Sequence, residues 1–127
     1  MPGRLLVVAL AVSGCSLGGY SQAEYTREAD AARAELESAI GLALAEDQSA
    51  CRVLSLGDRP CGGPAYFLAY SVTDADTARV QTLAARTGEI DRRANRALGL
   101  VSTCELRVAP PVEIRDGRCQ FPVAVID

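Results

Sequence analysis

Ala65-Tyr66-Phe67-Leu68-Ala69-Tyr70-Ser71-Val72 is followed almost at once by Asp74-Ala75-Asp76-Thr77, and the change of pattern between these stretches decides the fold. The first stretch is an aromatic and apolar run between loop signals, with the length and composition of a strand. Alternation puts Tyr66, Leu68, Tyr70 and Val72 on one face and Phe67 on the other, and apolar residues on both faces suggest a central strand. Beyond it, Val80, Leu83, Ala84, Ile90, Ala94 and Leu98 recur at helical spacing. Asp74 and Asp76 suit the positive end of the helix dipole, and Arg92, Arg93 and Arg96 suit its negative end. Gly99 stands at the C-terminal cap position. The pattern predicts a helix over 75–98, with Gly88 inside it at a cost of about 1 kcal/mol relative to Ala and open to a kink there.

Toward the C-terminus, Cys104, Leu106 and Val108 alternate with Glu105 and Arg107 until Pro110-Pro111 breaks the pattern. Two short strands, 112–115 and 118–125, are joined by Asp116-Gly117, the dipeptide that best fits a two-residue type I′ hairpin. That turn places Ile114 opposite Cys119 and Val112 opposite Phe121, with all four on one face.

Toward the N-terminus, residues 51–64 carry Gly57, Pro60, Gly62, Gly63 and Pro64, which exclude regular helix and mark a long irregular segment. Ser21-Gln22-Ala23-Glu24 matches a capping box. Ala29, Ala32, Leu36, Ile40 and Ala43 then recur at three- and four-residue intervals, predicting one amphipathic helix that ends near Asp47. Arg33 and Glu37 form an i,i+4 pair on its outer side. The expected fold is α+β: two amphipathic helices packed on one face of a small, mostly antiparallel sheet made from 66–72, 104–109, 112–115 and 118–125. A single domain over 22–127 accommodates all of it.

At the start of the chain, Arg4 precedes the apolar run Leu5-Leu6-Val7-Val8-Ala9-Leu10-Ala11, and Val12-Ser13-Gly14-Cys15 follows. The run is too short for a transmembrane helix, which needs roughly 20 apolar residues, and reads as a secretion signal. The tetrapeptide resembles the bacterial lipobox: an aliphatic residue, two small residues, then Cys. That resemblance implies cleavage before Cys15, diacylation of its sulfur and stable anchoring in a membrane through several acyl chains. Residues 1–14 are then the signal peptide and 15–21 a short, Gly-rich lipidated tether. Ser16, where inner-membrane retention would call for Asp, implies the periplasmic face of the outer membrane. Cleavage as an ordinary signal peptide at another position is the alternative.

Every basic residue is Arg, with no Lys and no His in the chain. Loss of Arg4 with residues 1–14 leaves 12 Arg against 16 Asp and Glu, a net charge of about −4. Nothing in that balance points to nucleic acid or anionic lipid as a partner.

Cys51, Cys61, Cys104 and Cys119 remain besides Cys15. An even number of cysteines in a small exported domain reads as two disulfides. Three pairings are possible. Local turn signals and the hairpin register favour Cys51 with Cys61 and Cys104 with Cys119, where closing a loop of about 15 residues contributes roughly 3 kcal/mol. Zinc binding is disfavoured, because the four thiols include no C-x-x-C pair and no His assists them. No cofactor is expected.

Without His, Lys or a free thiol, the usual nucleophile systems lack their base. Paired carboxylates for glycoside hydrolysis must face one another roughly 5 to 9.5 Å apart. Glu35 with Glu37 and Glu89 with Asp91 diverge on their helices, and Glu105 and Glu113 converge only if their strands are neighbours. The chain is read as a non-enzyme.

Cys61-Gly62-Gly63-Pro64 is the most distinctive internal motif. Successive glycines can orient backbone amides into an anion-binding nest, or simply let the chain turn into the strand at Ala65. With Cys51, Tyr70-Ser71 and the series Asn95, Gly99, Ser102, Cys104, this motif resembles a group of small bacterial secreted proteins and lipoproteins without an assigned activity. The expectation is a non-catalytic envelope lipoprotein, a small binding or structural module that meets an envelope protein by contact. The alternative is an inhibitor of a hydrolase, such as a lysozyme or protease, presenting the Cys51 to Cys61 loop with Arg59 or Asp58 at its tip. Asp58, Arg59, Gly62, Gly63, Tyr66 and Tyr70 are the candidate binding residues, although Tyr66 and Tyr70 also fit the core.

Overall fold

In a computed structural model, which describes residues 18–122, the capping box of Ser21 and Glu24 is fully formed and starts α1, Gln22–Ile40. The Ser21 hydroxyl accepts from the Glu24 amide at 3.2 Å, and the Glu24 carboxylate accepts from the Ser21 amide at 2.8 Å. The Ser21 amide, and the Ser21 hydroxyl donating at 2.9 Å, hold the Glu24 carboxyl below its ordinary value. The helix stops at Ile40, earlier than the apolar spacing predicts, because Gly41 takes φ 64°. Ala43 therefore joins the core from the following segment and not from a helical stripe.

After a short turn over Gln48–Ala50, β1 spans Cys51–Leu56 and β2 spans Tyr66–Ser71. The two pair antiparallel, with Leu54 opposite Leu68 and Leu56 opposite Tyr66. The stretch expected to be irregular from Cys51 onward thus begins as a strand, and irregular chain is confined to its Gly- and Pro-bearing end. Among the described residues β2 has one partner and no second neighbour, so it is not central there; Tyr66, Leu68, Tyr70 and Val72 pack in or against the core.

Asp76 caps α2, Thr77–Leu98, by accepting from the Arg79 amide at 3.1 Å, and Gly99 closes it in the left-handed conformation at φ 60°. The helices α1 and α2 lie side by side in opposite directions, with Tyr25 bonded to Asp91 near one end and Glu35 to Arg86 nearer the other. The strands β3, Glu113–Arg115, and β4, Arg118–Gln120, form the expected hairpin. Ile114 sits opposite Cys119, and Asp116 and Gly117 both take positive φ, as a type I′ turn requires. The partnership of Val112 with Phe121 is not part of that ladder, which begins at Glu113.

Among the described residues two separate two-stranded sheets stand where a single sheet was expected, and residues 104–109 join neither. The segment after α1 lines β4 instead, with the Ala45 amide donating to Gly117 at 2.9 Å and the Cys119 amide to Ala43 at 2.8 Å. The disulfides follow this layout: Cys51 joins Cys119 and Cys61 joins Cys104, across 68 and 43 residues. Both bonds are long-range. The local pairs Cys51 with Cys61 and Cys104 with Cys119 are therefore wrong, because Cys104 does not lie on a strand beside β4 and Cys51 lies at the far end of β1 from Cys61. One buried cluster, including Leu36, Ile40, Leu54, Leu56, Tyr70, Val80 and Leu83, packs both helices, the β1/β2 hairpin and Cys119 together. The lipobox, Cys15 and the expected end of the last strand at 123–125 lie outside the described residues.

Candidate functional site

Gly57 breaks β1 with φ 73°, and the chain then lies down on α2. The Gly57 amide donates to the Thr87 hydroxyl at 2.9 Å, the Asp58 amide to the Asp91 carboxylate at 2.8 Å, and the Asn95 side chain to the Asp58 carbonyl at 2.8 Å. The Asp58 carboxylate faces Arg92 at 3.3 Å. Arg59 is not at a tip. Only 8% of it is exposed, and its guanidinium bridges the Glu105 carbonyl at 2.6 Å and the Thr103 carbonyl and hydroxyl.

The two glycines after the disulfide are exposed and take φ 91° and 80°. Their turn is internally bonded: Gly62 donates to the Arg59 carbonyl at 2.7 Å, and Arg59 donates to the Gly63 carbonyl at 3.0 Å. With the Gly62 amide already used, and the Cys61 amide directed at the Ser102 hydroxyl at 3.4 Å, the anion nest loses two of its donors. Tyr70 is 3% exposed and receives a hydrogen bond from Gln81, so it belongs to the core. Tyr66 is half-buried under the Arg33 guanidinium, 4.9 Å above its ring. Burial raises its phenol above the ordinary value.

Tyr66 also lines a cavity of about 190 Å³ between α1, α2 and the start of β2, with Tyr25, Arg33, Thr87 and Asp91. Asp91 is the junction there. One of its oxygens accepts from the Tyr25 hydroxyl at 3.0 Å while the other takes the Asp58 amide. Burial, assisted by Asp91, pushes the Tyr25 phenol up to about 12. The cavity is smaller than the roughly 300 to 1,000 Å³ typical of ligand pockets. Tyr25 and Asp91 satisfy one another there, Thr87 is bonded to the Gly57 amide and the Ala84 carbonyl, and Arg33 is paired with Glu37.

A larger open groove, about 510 Å³, runs between the segment after α1 and the end of β2, lined by Leu44, Glu46, Asp47, Val72 and Asp74 among others. Two of its acids are engaged locally: Asp74 accepts from the Leu44 amide at 2.9 Å and Asp47 from the Ser49 amide at 2.7 Å. The bonds from Ser49 hold the Asp47 carboxyl below its ordinary value.

The carboxylates considered for catalysis do not converge. Glu35 pairs with Arg86 and Arg79, Glu37 with Arg33, and Glu113 with Arg115, while Glu105 contributes its backbone carbonyl to Arg59. Among the described residues no cluster of three or more potential metal ligands forms.

Sequence reasoning missed Asp91, Thr87 and Tyr25 as a connected set. A signal was present. Ala84, Thr87, Asp91 and Asn95 follow one another at three- and four-residue steps, so a polar edge borders the apolar stripe of α2 and faces whatever packs there. The chain matches no protein-family profile, no curated protein and no solved structure.

Proposed function

We infer that this chain is an exported, lipid-anchored envelope module that acts by contact and not by chemistry. The observation carrying this reading is the pair of long-range disulfides in a small domain that follows the Val12-Ser13-Gly14-Cys15 signal. Cross-links of this kind form and persist in oxidising compartments such as the bacterial periplasm. The absence of His and Lys and the pairing of carboxylates with Arg support a non-catalytic role. Among the described residues no helix is long and apolar enough to cross a membrane. In this reading the attachment is through acyl chains on Cys15.

The inward guanidinium of Arg59 and the seated Asp58 favour a binding or bracing module over a hydrolase inhibitor that presents those two side chains. What the 57–63 stretch offers outward is its turn at Pro60, Gly62 and Gly63. An envelope protein is the expected partner.

Intact mass and detergent partitioning of the full chain and its Cys15→Ser variant test the reading. Wild type carries the acyl mass and enters the detergent phase, and the variant does neither. A wild-type chain recovered unacylated from the soluble periplasm overturns it.

A further inference from the structure

We propose that the end of the domain bearing Val101 and Leu106 docks directly on the bilayer in which Cys15 is anchored, through apolar contact. The proposal rests on the lipid-anchored reading above. Val101 is 91% exposed and Leu106 89%, the two most exposed large apolar side chains among the described residues.

Their position relative to the anchor follows from three sets of contacts. Tyr25, one turn into α1, is bonded to Asp91, and Leu98 lies seven residues further along α2, about 10 Å. The C-terminus of α2 therefore emerges at the same end of the domain as the N-terminus of α1, and Val101 follows three residues later. Asn95 holds Asp58, and the adjoining Arg59 holds Thr103 and Glu105, which keeps Leu106 near that end as well.

The chain toward Cys15 leaves from the same place. Tyr20 is fixed to the domain by its hydroxyl, 2.8 Å from Glu28, and by the Arg93 guanidinium 4.8 Å from its ring. Tyr20 is only five positions from Cys15, a reach of about 18 Å at full extension. The helix α1 is 19 residues, about 28 Å, so docking through this end would set the other end about that far from the membrane. Arg96, in the last turn of α2, is in no ion pair among the described residues, so its stem can lie along the interface with the charge in water. Leu42, 56% exposed, lies beyond the opposite end of α1 and provides an internal contrast.

The chain contains no Trp, so a single introduced Trp reports its own surroundings. Full-length Val101→Trp, Leu106→Trp and Leu42→Trp proteins, exported with the native signal and reconstituted into phosphatidylcholine vesicles with brominated acyl chains, are compared by emission and intact mass. Acylated Val101→Trp and Leu106→Trp emit to the blue and lose intensity to the brominated lipid, whereas Leu42→Trp does neither. Acylated protein whose Trp at 101 and 106 stays as red-emitting and unquenched as at 42 overturns the docking and leaves the anchor standing. Blue emission without quenching means that protein covers the patch, and also overturns it. Absence of the acyl mass overturns both readings together.

Discussion

The guanidinium of Arg59 donates to the backbone carbonyl of Glu105 at 2.6 Å, joining residues 46 positions apart. Residues 100–112 have no ladder of their own, and this contact is one of several that fasten them. Cys104 is cross-linked to Cys61, and Arg107 donates to the Ala65 carbonyl at 2.6 Å. The connection from α2 to the last hairpin is thus bound to the β1/β2 hairpin by side chains, where a sheet would have used backbone pairs.

Arg59→Ala removes a buried donor that serves two carbonyls, and each charge-assisted bond contributes about 1.5 to 3 kcal/mol. Since Thr103 and Glu105 are exposed and water can replace part of what they lose, a net loss of about 2 kcal/mol is expected. Urea unfolding of the oxidised protein measures it. Arg59→Lys should recover only part, because one ammonium lacks the fork that reaches both carbonyls. A loss below about 0.5 kcal/mol for the alanine variant, an ordinary surface effect, would falsify the clamp.

What was legible in the sequence was local. The Ser21 and Glu24 capping box, the Gly99 cap and the Asp116-Gly117 turn with Ile114 opposite Cys119 each depend on residues a few positions apart, and each is present. The α+β class followed from those signals. What escaped was set by distant partners: the β1 strand is completed by β2, Arg59 faces inward only because 103–105 pass over it, Cys51 meets Cys119 through the packing of two hairpins, and Cys61 meets Cys104 where the 100–112 connection passes. Leu106 and Val108 alternate with charged residues as strand residues do, yet 104–109 joins neither sheet and is held by side chains instead. The end of α1 was readable, since Gly41 marks it, but the Ala43 spacing masked the signal.

The two disulfides should differ sharply in their resistance to reduction. Their loops of 43 and 68 residues predict nearly equal entropic contributions, about 4 kcal/mol each, so access decides the order. Cys61 and Cys104 are exposed, whereas Cys51 and Cys119 are 5% and 4% exposed. Mild thiol treatment of the native protein, followed by differential alkylation and peptide mapping, should label Cys61 and Cys104 first. First labelling of Cys51 and Cys119 contradicts this.

Gly57→Ala should be among the most damaging single changes at a glycine. An added Cβ would lie 2.4 Å from an Asp91 carboxylate oxygen and 2.8 Å from the Ala65 Cβ, at a φ of 73°. Left-handed backbone alone costs about 1 to 2 kcal/mol for a non-glycine residue, and displacing Asp91 breaks its bonds to Tyr25 and Asp58 as well. Gly62→Ala, at φ 91° with nothing within 4 Å, incurs the backbone part only. Thermal unfolding of the pair separates the two contributions, and equal losses would show that the Asp91 junction adds nothing.

Alkaline pH should destabilise the fold through Tyr25. Its phenol holds its proton to about 12 in the folded chain, against an ordinary value of 10.0. Between those values the folded state binds more protons than the unfolded one, so raising the pH favours unfolding. The stabilisation is complete below about pH 10 and is lost as the pH climbs to about 12. Tyr20 and Tyr66 are also shifted upward and steepen the same limb. Tyr25→Phe loses the bond to Asp91, about 1 kcal/mol at neutral pH, and flattens the decline above pH 10 because one ionisation is gone. Denaturant midpoints from pH 8 to 12 for wild type and Tyr25→Phe give the comparison. Parallel curves would mean that the Tyr25 proton is not linked to folding and that its contact with Asp91 is not kept in solution.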